Sequence, residues 1–111
     1  MDKKIAIDLT GTRTTAQLHA VLKKAFGFPD FYGGSFPALV DCWSSSRYPS
    51  DGMSTVVLDA LDDRLELHVS GLAACPEDVI RVLISAIEAV NQRARRNQLD
   101  EVILLVLNEP A

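Results

Sequence analysis

Apolar residues recur along this chain at two different periods, and each change of period marks an element. In Lys4–Leu9 the residues Ile5, Ile7 and Leu9 fall at every second position, which predicts a strand with one apolar face. Gly11 ends it, and Thr14 or Thr15 is placed to cap the next segment. Leu18, Val21, Leu22, Ala25 and Phe26 then take the i, i+3, i+4, i+7, i+8 spacing of an amphipathic helix. Gly27 sits where a helix C-terminus favours it, and Pro29 closes the helix. After a Gly33-Gly34 turn, Ser35 is an N-cap and Pro37 fits a first turn that needs no N–H, so a short helix is predicted from Phe36 to Ser45. Its spacing puts Phe36, Leu39, Val40 and Trp43 on a core face. Pro37, Ala38, Asp41, Ser44 and Ser45 fall on the opposite face, which is small and polar.

Ser44–Gly52 has the composition of a loop. Ser54–Asp59 is rich in β-formers, Leu65–Val69 alternates, and Leu61–Arg64 between them is a turn signal. The three predict an antiparallel hairpin with one wet face. A long helix opens after Pro76 with Glu77 and Asp78 and ends with Arg93, Arg95 and Arg96, the orientation that the helix dipole favours. Val79, Leu83, Ala86, Ile87, Val90 and Ala94 form its stripe, and Ile80 and Ile84 widen it, so it is expected to pack on more than one side. Val102–Leu107 is apolar without alternation. That predicts an interior strand buried on both faces, placed beside the Ile5–Leu9 strand. The pattern is β-α-α-β-β-α-β. It implies an α/β class and a single domain over residues 1–111, with a small, mostly parallel sheet packed against helices.

Composition narrows the functions open to such a domain. With 111 residues and 48% apolar content the chain can form a core without disulfide or metal staples. Asp plus Glu number 15 against 11 for Lys plus Arg, a net charge of −4, which argues against direct nucleic-acid binding and admits a basic protein partner. No apolar run approaches the roughly 18 residues that span a bilayer. Met1-Asp2-Lys3-Lys4 opens no apolar signal core, so a cytoplasmic protein without membrane contact is expected. Cys42 and Cys75 form no C-x-x-C pair and read as reduced thiols.

Candidate chemistry is sparse. There is no phosphate-binding G-x-x-x-x-G-K-[ST] loop and no G-x-S-x-G elbow. His19, on the polar side of the first helix, and His68, on the hairpin, have no partners at metal-ligand spacing. Cys42 has no base placed by sequence to activate it, which makes it a structural thiol. Asp59, Asp62, Asp63 and Glu66 lack the order of a calcium loop and read as a solvated hairpin turn, and Asp8 and Glu101 as exposed strand ends. No catalytic residue, metal or cofactor is expected. What remains is the segment from Phe31 to Ser46, where an aromatic and two glycines precede a short helix with Asp41 outward.

That segment resembles a known signature. Phe28-Pro-Asp-Phe-Tyr-Gly-Gly-Ser-Phe-Pro-Ala-Leu-Val-Asp-Cys-Trp43 is similar to the barstar-family pattern Leu-Pro-x-aromatic-Tyr-Gly-x-Asn-x-x-Ala-Leu-x-Asp-Cys, matching at Pro29, Phe31, Tyr32, Gly33, Ala38, Leu39, Asp41 and Cys42. Leu18–Lys24 resembles the family's first helix. Arg47-Tyr48-Pro49, Asp51-Gly52 and Val90-Asn91-x-Arg93 resemble barstar-like immunity proteins of bacterial toxin systems. The resemblance implies a strand inserted within Ser54–Val69 and a protein that is no enzyme but plugs the active site of a small basic ribonuclease. A nuclease cleft is positive because it holds phosphates. A carboxylate on a rigid helix takes a phosphate position and accepts charge-assisted bonds there. By this resemblance Asp41 has that role, and Phe31, Tyr32, Gly33, Gly34, Ser35, Pro37, Ala38, Ser44 and Ser45 make up the partner-binding surface around it. The chain departs from the family at four places: Ser35 replaces Asn, Pro37 an acid, Val40 a tryptophan and Ser85 a further acid. Two contact carboxylates are thus missing, which leaves the target's identity open. The expected function is a cytoplasmic antitoxin or immunity protein that occludes a bacterial nuclease toxin without a cofactor. The alternative is an interaction module for a non-nuclease partner.

Overall fold

The computed structural model describes residues 2–48, 50, 52–58 and 62–108. Its elements run β1 (Lys3–Asp8), α1 (Thr15–Phe26), α2 (Phe36–Ser44), β2 (Leu65–Ser70), α3 (Glu77–Arg96) and β3 (Ile103–Asn108). The helix boundaries follow their local signals. The Thr14 hydroxyl accepts from Gln17 N at 3.1 Å while the Gln17 side chain accepts from Thr14 N at 3.3 Å, a reciprocal cap. Gly27 ends α1 at φ +63°, and a Cβ there would lie 2.4 Å from the Thr55 side chain.

The sheet is wholly parallel, with β2 between β1 and β3. Its register aligns Ile5, Leu67 and Leu105 in one row and Ile7, Val69 and Leu107 in the next. These rows face the helices, and Leu65, Leu67 and Val69 are fully buried there. The opposite face carries Lys4, Glu66 and Leu104, then Ala6, His68 and Val106, and none of these is buried. The helices therefore cover one face, and the molecule has two layers.

Two expectations about strands are corrected. The run Val102–Leu107 forms an edge strand beside β2, not an interior strand beside β1. Leu104, Leu105 and Val106 are partly buried and Leu107 is exposed. An unbroken apolar run implies two-sided burial only where helices cover both faces, and here none of the described helices covers the second face. The hairpin is also absent. Residues 54–58 form no strand, and β2 takes parallel partners on both sides. The donors of this segment are used elsewhere: Ser54 Oγ, Thr55 N and Thr55 Oγ1 all bond the Phe26 carbonyl, at 3.0, 2.9 and 3.1 Å. The segment thus closes the C-terminus of α1, whose last carbonyls have no partner within the helix. Asp59, the last residue of the expected strand, and Ala60 and Leu61 of the expected connector lie outside the described residues.

Further corrections concern individual side chains. Phe36 is exposed rather than part of the core, and so is Ile84 on α3. His19 and Asp63, expected on wet surfaces, are buried. Two buried polar side chains also hold the sheet in place. Asn91 of α3 accepts from Val102 N and Ile103 N at 2.9 and 3.0 Å and donates to Ile103 O at 2.9 Å. Its carboxamide thus meets the backbone at the start of β3 as a further strand would. Arg47 donates from Nη2 to the carbonyls of Asp63 and Glu101, both at 2.9 Å, which ties together the chain entering β2 and the chain entering β3.

Candidate functional site

The candidate site is the turn at Gly33-Gly34 and the outer face of α2. Both are held from beneath by aromatic packing. Phe26 meets Trp43 edge-on at 5.7 Å and stacks on Phe28 at 5.6 Å, and Phe28 packs on Tyr32 at 4.8 Å. The Tyr32 hydroxyl then bonds Nδ1 of His19 on α1. Burial holds the imidazole below its ordinary pKa and pushes the Tyr32 phenol up. The chain turns outward immediately after this anchored pair. Gly33 and Gly34 both have positive φ, +72° and +69°, so the turn presents bare backbone to anything that approaches.

Ser35 then caps α2 by accepting from Ala38 N at 3.2 Å, and Pro37 occupies the first turn. Leu39, Val40, Cys42 and Trp43 fix the inner face of the helix. Phe36, Pro37 and Asp41 are exposed on the outer face, and Ala38, Ser44 and Ser45 are partly buried. The structure thus gathers Gly33, Gly34, Ser35, Pro37, Ala38, Asp41, Ser44 and Ser45 along one ridge. Tyr32 is at the same place in the chain but 3% exposed, so it supports the ridge from within. Phe31 lies in the 3-10 turn Asp30–Tyr32 that leads into the ridge.

The Asp41 side chain is 62% exposed, and Arg93 of α3 donates to its Oδ1 at 3.0 Å. The same guanidinium nitrogen bonds Ser44 Oγ at 3.3 Å. The helix-face reading of the sequence found Asp41 but missed this partner. Arg93 carried the signal of a cation in a last helical turn and belonged to the Val90-Asn91-x-Arg93 resemblance, but neither points to Asp41, which lies 52 positions away. Phe36 was missed as a surface residue because its spacing matches the core stripe.

The thiol beneath the ridge is not set up as a nucleophile. Cys42 is 1% exposed, and its thiol pKa is raised, first by burial and then by the Asp41 charge. Burial likewise raises Cys75, whose thiol points to the Leu9 and Gly71 carbonyls. Both cysteines are free. Among the described residues no three His, Cys, Asp or Glu side chains gather where they could hold a metal ion, and no helix is long and apolar enough to cross a membrane.

A family model described as barstar (barnase inhibitor) matches residues 3–109, nearly the whole chain. The chain belongs to the barstar family. No curated protein matches it. The parallel sheet with three helices is consistent with the barstar-like fold, and the family's members are inhibitors rather than enzymes. The chain is in this sense barnase-inhibitor-like, and the family's partner is a ribonuclease.

Proposed function

We propose that this chain, acting as one domain over residues 1–111, is a stoichiometric inhibitor of a bacterial nuclease toxin of the ribonuclease kind. It serves as the antitoxin or immunity protein in the cytoplasm of the cell that makes it. The observation that supports this most is the setting of Asp41. Its carboxylate is largely exposed, while the helix beneath it is fixed by side chains that are at most 5% exposed. A pinned carboxylate loses little freedom on binding.

In the proposed complex Asp41 takes a position that a substrate phosphate would occupy and accepts charge-assisted bonds from the cations of the cleft. The bare backbone at Gly33-Gly34 lets a loop of the nuclease approach closely. The net charge of −4 raises the rate of encounter with a basic partner. Steering of this kind is best known from barnase and its inhibitor. The resident Asp41–Arg93 pair must open. Exposed ion pairs contribute only about 0–1 kcal/mol, so opening it costs little. Occlusion involves no turnover and no cofactor.

A co-expression screen tests this reading. The chain is paired in bacteria with each of a panel of small basic ribonuclease domains, barnase included, and growth is scored. The expected result is rescue from at least one domain, with inhibition of oligonucleotide cleavage by the purified pair saturating at one chain per nuclease. Failure to rescue from any member contradicts the proposal.

A further inference from the structure

We propose that Arg93 is a second contact residue, one that selects nucleases holding a carboxylate beside the cation that Asp41 engages. This rests on the reading of Asp41 given above. Arg93 uses one nitrogen, Nη1, for both Asp41 and Ser44. Its Nη2 and Nε meet no hydrogen-bond partner among the described residues, and its side chain is 48% exposed. A guanidinium carries five N–H donors in a fixed fork, so most of its capacity is open to a partner.

The charge pattern decides what that partner presents. Negative charge at Asp41 and positive charge at Arg93 lie within hydrogen-bond distance, so the surface is dipolar. A partner offering only cations would bond Asp41 and be repelled by Arg93. A partner with a carboxylate next to its cation converts one internal ion pair into two intermolecular ones. A site that cleaves phosphodiesters by acid–base chemistry needs a general base near the cations that bind phosphate, and Asp or Glu is one class of residue that serves there.

The surroundings of Arg93 fit a buried contact. Beside it lies a dimple of about 40 Å³, with an apolar wall of Val90, Ala94, Leu99 and Val102 and with Tyr48, Arg47 and Asn97 also in its lining. Tyr48 is 47% exposed at its rim. An apolar wall and an exposed tyrosine next to an arginine make up the composition in which binding energy concentrates. This surface continues the ridge through Ser44 onto α3.

The test uses the nuclease that the growth screen identifies, with binding measured by calorimetry so that inactive nuclease variants can be compared. Arg93→Ala and Arg93→Lys are each expected to weaken binding about tenfold, since Lys keeps the charge and loses the fork. One carboxylate variant of the nuclease weakens binding by a similar factor, and combining it with Arg93→Ala adds nothing further. Unchanged or tighter binding by Arg93→Ala overturns the inference, because Arg93 then only competes for Asp41. Additive losses with every nuclease carboxylate also overturn it, because Arg93 then only positions Asp41. If Asp41→Ala weakens binding while Arg93→Ala does not, this inference alone fails. If neither variant changes binding, or no nuclease is bound, the reading of the site fails and this inference fails with it.

Discussion

Two arginines line the dimple beside the end of α3, and they do different things. Arg47, at its base, is 6% exposed and donates to two backbone carbonyls of the fold. Arg93, at its rim, is half-exposed and donates to an exposed carboxylate. The residue type is the same, and so is the charge. The acceptors differ. Bonds from a buried guanidinium to the main chain join the two strand entrances, so they belong to stability. A bond from a solvated guanidinium to a solvated carboxylate is weak and exchangeable, which suits a group that must change partners on binding.

The sharpest way to break this comparison is to remove each arginine in turn. Arg47→Ala leaves two carbonyls unbonded and is expected to cost about 3 kcal/mol or more in urea unfolding followed by Trp43 fluorescence. Arg93→Ala is expected to change stability by no more than about 0.5 kcal/mol. Equal losses would remove the distinction between base and rim. Next in size is Asn91→Ala, which deletes three bonds to β3 and is expected to cost about 2–4 kcal/mol. Hydrogen exchange should show the loss first at the amides of Val102 and Ile103, whose acceptor is the Asn91 side chain.

Acid tests the base of the site on a smaller scale. Burial lowers the pKa of His19 below its ordinary 6.5, so the folded state favours the neutral ring. The unfolded chain then binds more protons than the folded one just below that value. The stability contributed by neutral His19 is intact above about pH 6.5 and is lost as pH falls through the folded pKa. Melting temperatures from pH 8 to pH 5 should fall more steeply for the unmodified chain than for His19→Gln. Parallel curves would show that the ring is not the titrating group.

Much of the site was legible because its signals are local. The cap at Ser35, the proline in the first turn and the spacing of Leu39, Val40 and Trp43 all lie within one short helix, and they suffice to turn Asp41 outward. Phe36 has the same spacing but sits at the first position of the helix, where no other element covers it. The segment from Ser54 to Leu58 has a strand's composition, yet its donors meet the end of a helix that lies far away in sequence. Composition carries no record of that use. The apolar run of β3 was legible as a strand, but its burial on one face alone depends on how many helices the chain has to cover a second face. Asn91 did leave a signal, because it falls within the apolar stripe of α3 at Ile87 plus four, where a polar residue implies a buried partner. The pairing of Arg93 with Asp41 left none, since it depends on how two helices pack.

The central claim is that Asp41 on the outer face of α2 is the inhibitory contact. Its most direct test is titration of the identified nuclease with Asp41→Ala, using Asp62→Ala at an exposed position as a control, and thermal melts of both. Charge-assisted hydrogen bonds are worth about 1.5–3 kcal/mol each, so Asp41→Ala should weaken inhibition by roughly ten- to a hundred-fold or more. Its melting temperature should stay within about a degree or two of the unmodified chain's, and Asp62→Ala should inhibit almost normally. If Asp41→Ala inhibits as strongly as the unmodified chain, the ridge on α2 is not the inhibitory surface.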